Sequence, residues 1–428
     1  MADLAFCGLS HLGLVSAVAA AAKGATVLAF DPDAALVAAI AAGRLPVHEP
    51  GLDAALAAHR GRLAFTADPA ALAGCPLVTI AADVPTDAAG DSDLGPIAAL
   101  VATVAPQLDA AATLVVLSQV PPGYTRALPA RPGGLFCQVE TLVFGQALQR
   151  ALAPERIVVG CADPAAPLPD AYRRFLDRFG CPVLPMGYES AELAKIAINC
   201  LLVAQLSAAN TLAGLCETVG ADWGEIAPAL RLDRRIGPHA YLAPGLGIAG
   251  GNLERDLATV RRLAAAAGSH DRVVAAWQDD SRHRRDWALR RLHATVLAGR
   301  PDARIGIWGL AYKPDTRSTR NSAALALIVA LGATPMRCFD PVVALPPGLA
   351  SGAAQAADPL DAARAADALA IMTAWPQFAG VDLAALAAIM SGRVLIDPYR
   401  IVDHAAAVAA GFEHHRLGAG QPRTRDRR

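Results

Sequence analysis

Lys195 and Asn199 stand four residues apart in a stretch with helical patterning, so an ammonium and an amide share one helix face and can address one ligand. Lysine is scarce in this chain. Of 38 basic residues only Lys23, Lys195 and Lys313 are not arginine, which points to tasks a guanidinium cannot perform, such as seating a compact ammonium in a site or shifting its pKa. A second constellation is Gly8-Leu9-Ser10-His11-Leu12-Gly13, set between an apolar run and an apolar helix. That context suits the pyrophosphate of a dinucleotide. Ser10 takes the place of the middle glycine and puts a Cβ where backbone usually approaches the phosphates, so the motif alone is weak. Asp31 strengthens it: a carboxylate ending the second strand, about 20 residues on, takes both ribose hydroxyls and repels a 2′-phosphate, favouring NAD over NADP. The competing readings are an ordinary tight turn before a packed helix for Gly8 to Gly13, a solvated residue for Lys195 and a satisfied polar group for Asn199.

These residues need elements to hold them. Apolar runs at Leu4 to Cys7, Thr26 to Phe30, Leu77 to Ala81 and Leu114 to Leu117 alternate with helical patterns at Leu12 to Ala22, Ala34 to Ala42, Leu52 to Ala58 and Ile97 to Val104. This rhythm predicts a parallel sheet covered on both faces, completed by Pro154 to Val159 and Val183 to Leu184. From Ser190 to about Leu230 the periodicity predicts one or two long helices. A Gly-rich loop, Pro244 to Gly251, precedes more helix through Leu297. Strands at Arg304 to Leu310, Met336 to Phe339, Ala368 to Thr373 and Val394 to Asp397, with a helix from about Ser322, predict a second α/β unit. The expected fold is α/β, two Rossmann-like domains joined by a long-helix central domain, divided as 1–188, 189–298 and 299–428.

Composition narrows the function. A chain of 428 residues exceeds one core. Its longest apolar stretches read as broken by Gly, Asp or Arg before the roughly 18 residues of a membrane span, and no signal peptide is recognisable, so a soluble, cytoplasmic protein is expected. Eight cysteines show no metal-ligand spacing and read as reduced, mostly core thiols, with no metal expected. The net charge of −1 and dispersed basic residues give no nucleic-acid footprint. Arg423 to Arg428 reads as a disordered end.

Further motifs, in order and spacing, carry a resemblance over nearly the full length. His48-Glu49-Pro50-Gly51-Leu52 is similar to a Tyr-Glu-Pro-Gly-Leu element, Val84-Pro85-Thr86 with Asp93-Leu94 to a Val-Pro-Thr-Pro loop, and Ser118-Gln119-Val120-Pro121 to a Ser-Thr-Val-Pro turn. Ala191-Glu192-Leu193-Ala194-Lys195 with Asn199, Arg235-Ile236-Gly237, and Gly309-Leu310-Ala311-Tyr312-Lys313-Pro314 with Thr316, Arg320 and Ser322 follow. Together they resemble the UDP-glucose/GDP-mannose dehydrogenase family. The resemblance implies NAD bound by Gly8, Ser10, His11, Leu12, Gly13, Asp31, Val84, Pro85, Thr86, Ser118, Gln119 and Arg320. It implies a nucleotide sugar, UDP-linked by default, held by Lys195, Asn199, Arg235, Tyr241, Gly247, Gly250 and Lys313. Lys195 and Asp256 would hold water and stabilise an alkoxide, Glu140 would take part in proton transfer and hydrolysis, and the chain would pair as a homodimer through its long apolar helices.

One departure bears on the chemistry. The family's nucleophilic cysteine lies in a Gly-Phe-Gly-x-Gly-Gly-Ser-Cys loop, and here Gly245 to Asp256 places Asn252 at that position. A thiolate captures the aldehyde intermediate so that a second hydride can leave; an amide cannot. Three outcomes follow: oxidation stops at the aldehyde, the aldehyde hydrate is itself oxidised, or the chain binds nucleotide sugar without turnover. Cys200, beside Asn199, and Cys137, near Glu140, are the potential substitute thiols.

Overall fold

Two parallel-dominated sheets organise the chain, and each repeats the same winding. The computed structural model describes residues 2–87 and 90–420, so the Arg423 to Arg428 tail lies outside the described residues. The first sheet comprises β1 (Leu4–Cys7), β2 (Val27–Phe30), β3 (Leu63–Thr66), β4 (Leu77–Ile80), β5 (Thr113–Val116), β6 (Leu135–Gln138), β7 (Ile157–Cys161) and β8 (Val183–Gly187). Their spatial order is β3-β2-β1-β4-β5-β6-β7-β8, with only the β6–β7 pairing antiparallel. The second comprises β9 (Ile305–Trp308), β10 (Met336–Phe339), β11 (Ala353–Gln355), β12 (Ala368–Ile371), β13 (Val394–Asp397) and β14 (Glu413–Arg416), in the order β11-β10-β9-β12-β13-β14. In both, the strand order reverses beside the first strand, β1/β4 and β9/β12, the place where ligands bind at the carboxyl ends of such sheets.

Alternation along the strands shows why both faces are covered. Leu4 and Phe6 enter one apolar cluster with the helix His11–Ala22, whereas Ala5 and Cys7 enter another with Ile97, Leu100 and Val104. In the second sheet Ile305 and Ile307 pack on one side and Trp308, Leu369 and Ile371 include the other. Every residue of β1, β2, β4, β5, β9, β12 and β13 is buried, which makes these strands near-continuous apolar runs. Six of the eight cysteines are buried and two half-buried, all as free thiols.

The chain divides into two compact units, Met1–Ile198 and Asn199–Arg428. The helix Tyr188–Val219 runs through that division without a break for 32 residues. Contrary to the expectation that every apolar stretch is too short, this helix is long and apolar enough to cross a membrane by length and composition. Glu189, Glu192, Lys195 and Glu217 lie toward its ends, the run from Ile196 to Cys216 holds no charge, and three uncharged polar residues in that run have protein partners. Asn199 donates to Asp256, Gln205 accepts from the Tyr241 amide at 2.6 Å, and Asn210 accepts from the Gly245 amide at 2.9 Å. Gln205, exposed, and Asn210, buried, thus tie the loop after residue 240 to the helix.

Candidate active site

The turn after β1 is built as a phosphate cradle. Gly8 has φ +93°, and its amide donates to Phe30 O at 2.9 Å. A side chain there would press on Ala82 at 3.0 Å. Asp31 is aimed by backbone: its carboxylate accepts from the Leu9 amide at 2.7 Å and the Asp33 amide at 2.9 Å. Ser10 needs no glycine, since its φ of −67° is ordinary, and its hydroxyl accepts from the Asp83 amide at 2.8 Å instead of capping the helix. His11 and Leu12 open that helix. Val84, Pro85 and Thr86 follow β4, with the Asp93 amide donating to Pro85 O at 2.9 Å and Thr86 bridging Ser92. Ser118 follows β5 and donates to Ala82 O at 2.6 Å. The residues expected to hold NAD from the first unit therefore converge on its switch point, with open helix N–H groups for a pyrophosphate and an oriented carboxylate for a ribose.

Gly13 carries the closest approach: a Cβ on it would lie 1.7 Å from Gly8 O. Gly13→Ala must push the helix off the strand, at an expected cost of about 1–3 kcal/mol or more, together with weaker NADH binding. Thermal unfolding and NADH fluorescence titration measure both; a variant matching the wild type in each would show that the turn yields without cost.

Glu49 received no role from sequence. It is buried and accepts from His11 Nε2 at 3.1 Å, the Gly145 amide at 3.0 Å and the Ala147 amide at 2.7 Å. Phe144 stacks on His11 with centroids 4.2 Å apart. Glu49 thus fixes the segment after β6 to the cofactor turn, and the signal that could have revealed it was a carboxylate between apolar neighbours within a motif already singled out.

That segment begins with Glu140. Its carboxylate accepts from the Leu142 amide and stands 3.5 Å from Lys195 Nζ, each side chain 13% exposed. Lys195 and Glu140 line a small, half-open pocket together with Ser118, Gln119 and Val120, so the ammonium faces a carboxylate-bearing recess. One turn along the same helix, Asn199 Nδ2 donates to Asp256 Oδ2 at 2.5 Å, and both residues are buried. Asp256 also meets Arg255 Nε at 3.4 Å. Neither substitute thiol is activated: burial, then the Glu192 charge, pushes Cys137 up to about 12, and burial followed by Asp256 raises Cys200. A thiolate is the nucleophilic form, and the surroundings of both thiols disfavour it.

Within the second unit, the Gly-rich loop is pinned from two sides. Gly247, at φ +84°, lies against Ser281, whose hydroxyl accepts from the Ile248 amide at 2.7 Å. Gly250, at φ +78°, abuts the Tyr312 ring, donates its amide to Arg320 O at 2.9 Å and accepts from Asn321 Nδ2 at 2.7 Å. Asn321 also reaches Glu254, whose carboxyl is raised by burial against the opposing pull of Arg320, Arg285 and Arg282. Lys313 sits beside the same Tyr312 ring, and Arg320 packs on Gly251. The structure thus joins Gly247, Gly250, Lys313 and Arg320 to one loop. Tyr241 is tied to the long helix by its amide. Arg235 is exposed and paired with Asp233 at 2.6 Å, apart from that loop's contacts. Asn252 opens the helix Asn252–Ala266 with an exposed side chain.

The C-terminal sheet repeats the cofactor turn's construction. Gly309 follows β9 at φ +93°, and Asp340, ending β10, accepts from the Leu310 amide at 2.7 Å and the Ala311 amide at 3.0 Å. Models of the UDP-glucose/GDP-mannose dehydrogenase family match three segments: its NAD binding domain over residues 2–175, its central domain over 189–280 and its UDP binding domain over 306–404. The chain belongs to the UDP-glucose/GDP-mannose dehydrogenase family. It is 30% identical to a UDP-glucose 6-dehydrogenase of Pseudomonas aeruginosa, covering 97% of each chain, and 29% identical to one of Bacillus subtilis, covering 98% of this chain and 93% of that one. A UDP-glucose dehydrogenase structure from Pyrobaculum islandicum superposes with a TM-score of 0.83 at 29% identity, covering 98% of both chains. Its class is that of an NAD-dependent nucleotide-sugar dehydrogenase.

Proposed function

We propose that the chain oxidises the C6 hydroxyl of a UDP-sugar, and that the reaction stops at the aldehyde. Bound NAD supplies the hydride acceptor. The hydroxyl loses its proton and its carbon loses a hydride, giving an aldehyde, NADH and a proton, with no other oxidant required. Lys195 stabilises the negative charge that develops on the oxygen, a role suited to an ammonium in such a recess. Glu140 orients that ammonium and handles the proton, while Asn199, fixed by Asp256, holds the sugar from the same helix face. Asp31 and the turn at Gly8 hold the cofactor. Lys313 and the loop at Gly250 hold the nucleotide, in keeping with the UDP-binding family match over residues 306–404.

The observation that carries this reading is the Lys195–Glu140 pair beside Ser118 and Gln119. We place the protein in the cytoplasm as a homodimer, because Leu201, Leu212, Leu215 and Val219 leave an exposed apolar stripe on the helix Tyr188–Val219. We divide its work among an NAD-binding domain, 1–188, a central dimerisation domain, 189–298, and a nucleotide-sugar domain, 299–428. The test mixes protein, NAD and a panel of UDP-, GDP- and TDP-sugars while NADH absorbance is followed. A rise with a UDP-sugar is expected. NAD binding without NADH from any sugar would make the chain a binding protein instead.

A further inference from the structure

A cationic cavity in the second unit has no part in the site above. It encloses about 470 Å³ between the long helix, at Thr211, Gly214 and Leu215, and the helices Arg272–Arg285 and Trp287–Leu292. Arg284 is 8% exposed and lines it. Gly214 makes room for this guanidinium: a Cβ there would fall 2.5 Å from one of its terminal nitrogens. Yet Arg284 Nε is buried without a hydrogen bond, and the nearest carboxylate oxygen, on Asp280, is 3.7 Å away, beyond hydrogen-bond reach. Burying a guanidinium without filling its donors is costly.

The neighbours add positive charge. Arg290 and Arg291 line the same cavity; Arg291 is matched by Glu217, which also accepts from Trp287 Nε1 and the Gly418 amide. Arg290 donates to the His283 carbonyl at 2.8 Å and meets its ring at 3.3 Å. Burial, then the Arg290 and Arg284 charges, holds His283 below its usual range, and burial followed by Arg284 lowers Arg290. A cavity with one buried guanidinium N–H left unfilled, and with three arginines paired, among the described residues, only with the Asp280 and Glu217 carboxylates, suits an anion with several acceptor oxygens.

We propose that this cavity binds a phosphoryl-bearing small molecule, its anionic oxygens taken by Arg284 and Arg290. Ser281, the anchor of the Gly-rich loop, precedes Arg284 by three residues on the same helix, so the ligand's charge sits one turn from the loop that holds the nucleotide sugar. The experiment uses the full chain saturated with NADH and UDP, which fills the known phosphate-binding positions, and titrates inorganic pyrophosphate by calorimetry. One saturable event is expected, weakened about tenfold or more by Arg284→Gln and by Arg290→Gln, because each removes charge-assisted hydrogen bonds. Arg290 is exposed, so Arg290→Gln keeps the test sound if the buried variant fails to fold; unchanged NADH affinity certifies it. Absence of saturable heat, or equal affinity in Arg290→Gln, would overturn the proposal. So would a wild type that binds no pyrophosphate while Arg290→Gln shifts the chain to a smaller species, since the cations would then serve self-association.

Discussion

Lys195→Met is expected to lower kcat by about 10²–10³-fold, the usual cost of removing one preorganised donor to a developing oxyanion, with NADH affinity unchanged. Methionine keeps the length and apolar stem of lysine, so the cavity beside Ser118 and Gln119 stays filled and the loss isolates the ammonium. Glu140, left 3.5 Å from a thioether in place of its cation, becomes a half-buried carboxylate with one fewer favourable partner. Lys195→Arg should recover little. A planar guanidinium is larger and presents its donors in a fixed fork, and the cavity walls formed by Val120, Cys137 and Ala191 are buried and tightly packed. Steady-state rates with fluorescence-measured NADH affinity decide the matter. A Lys195→Met enzyme with wild-type kcat would remove Lys195 from the chemistry, and one with much weaker NADH binding would make it a cofactor residue.

The site was more legible than the elements that hold it. β1 and β13 match the sequence-derived bounds because strands buried on both faces are continuous apolar runs with clear ends, and β10 matches although Arg337 is exposed on one of its faces. β3, β6, β11 and β14 were not anticipated. β14 reads Glu-His-His-Arg and lies at a sheet edge, where polar residues are tolerated, and β11 has three residues. The omission of β6 matters most, since it delivers Glu140 to Lys195; Leu-Phe-Cys-Gln after Pro132-Gly133-Gly134 is too short for periodicity to distinguish from loop. Lys195 and Asn199, by contrast, needed only helical spacing, and Asp31 only its place after a strand. Partner choice was invisible: no spacing rule joins Asn199 to Asp256, or Glu49 to His11, across 57 and 38 residues. The one or two long helices expected from Ser190 to about Leu230 are the helices Tyr188–Val219 and Trp223–Leu232; what was misjudged is the length of the uncharged run within the first, which Asn199, Gln205 and Asn210 do not break.

Asn252 is expected to set the product. The wild-type protein is expected to form about one NADH per sugar consumed and to leave an aldehyde that a hydroxylamine or hydrazine reagent traps, since an amide has no anionic nucleophile near neutral pH. Asn252→Cys should move the ratio toward about two NADH per sugar with a carboxylate product, because a thiolate can add to the aldehyde carbon, the thiohemiacetal can give its hydride to a second NAD, and water can cleave the resulting thioester to the acid and the free thiol. Two structural features favour the gain. Position 252 is the first residue of the helix Asn252–Ala266, where the helix dipole lowers a thiol's pKa. Against that pull, Asp256 lies one turn further along the helix, but its carboxylate is already engaged with Asn199 at 2.5 Å and with Arg255. The preceding loop is held by Ser281, Arg320 and Asn321, so the new sulfur is carried on a fixed backbone. Thermal stability should change little, since the replaced side chain is exposed. Quantifying NADH against sugar consumed, with the product identified by mass spectrometry, decides between routes. A wild-type ratio already near two would show that the aldehyde hydrate gives up the second hydride unaided, and Lys195 with Glu140 would then have to serve both oxidations. A ratio unchanged by Asn252→Cys would mean that position 252 stands too far from the reacting carbon for any nucleophile placed there to reach it.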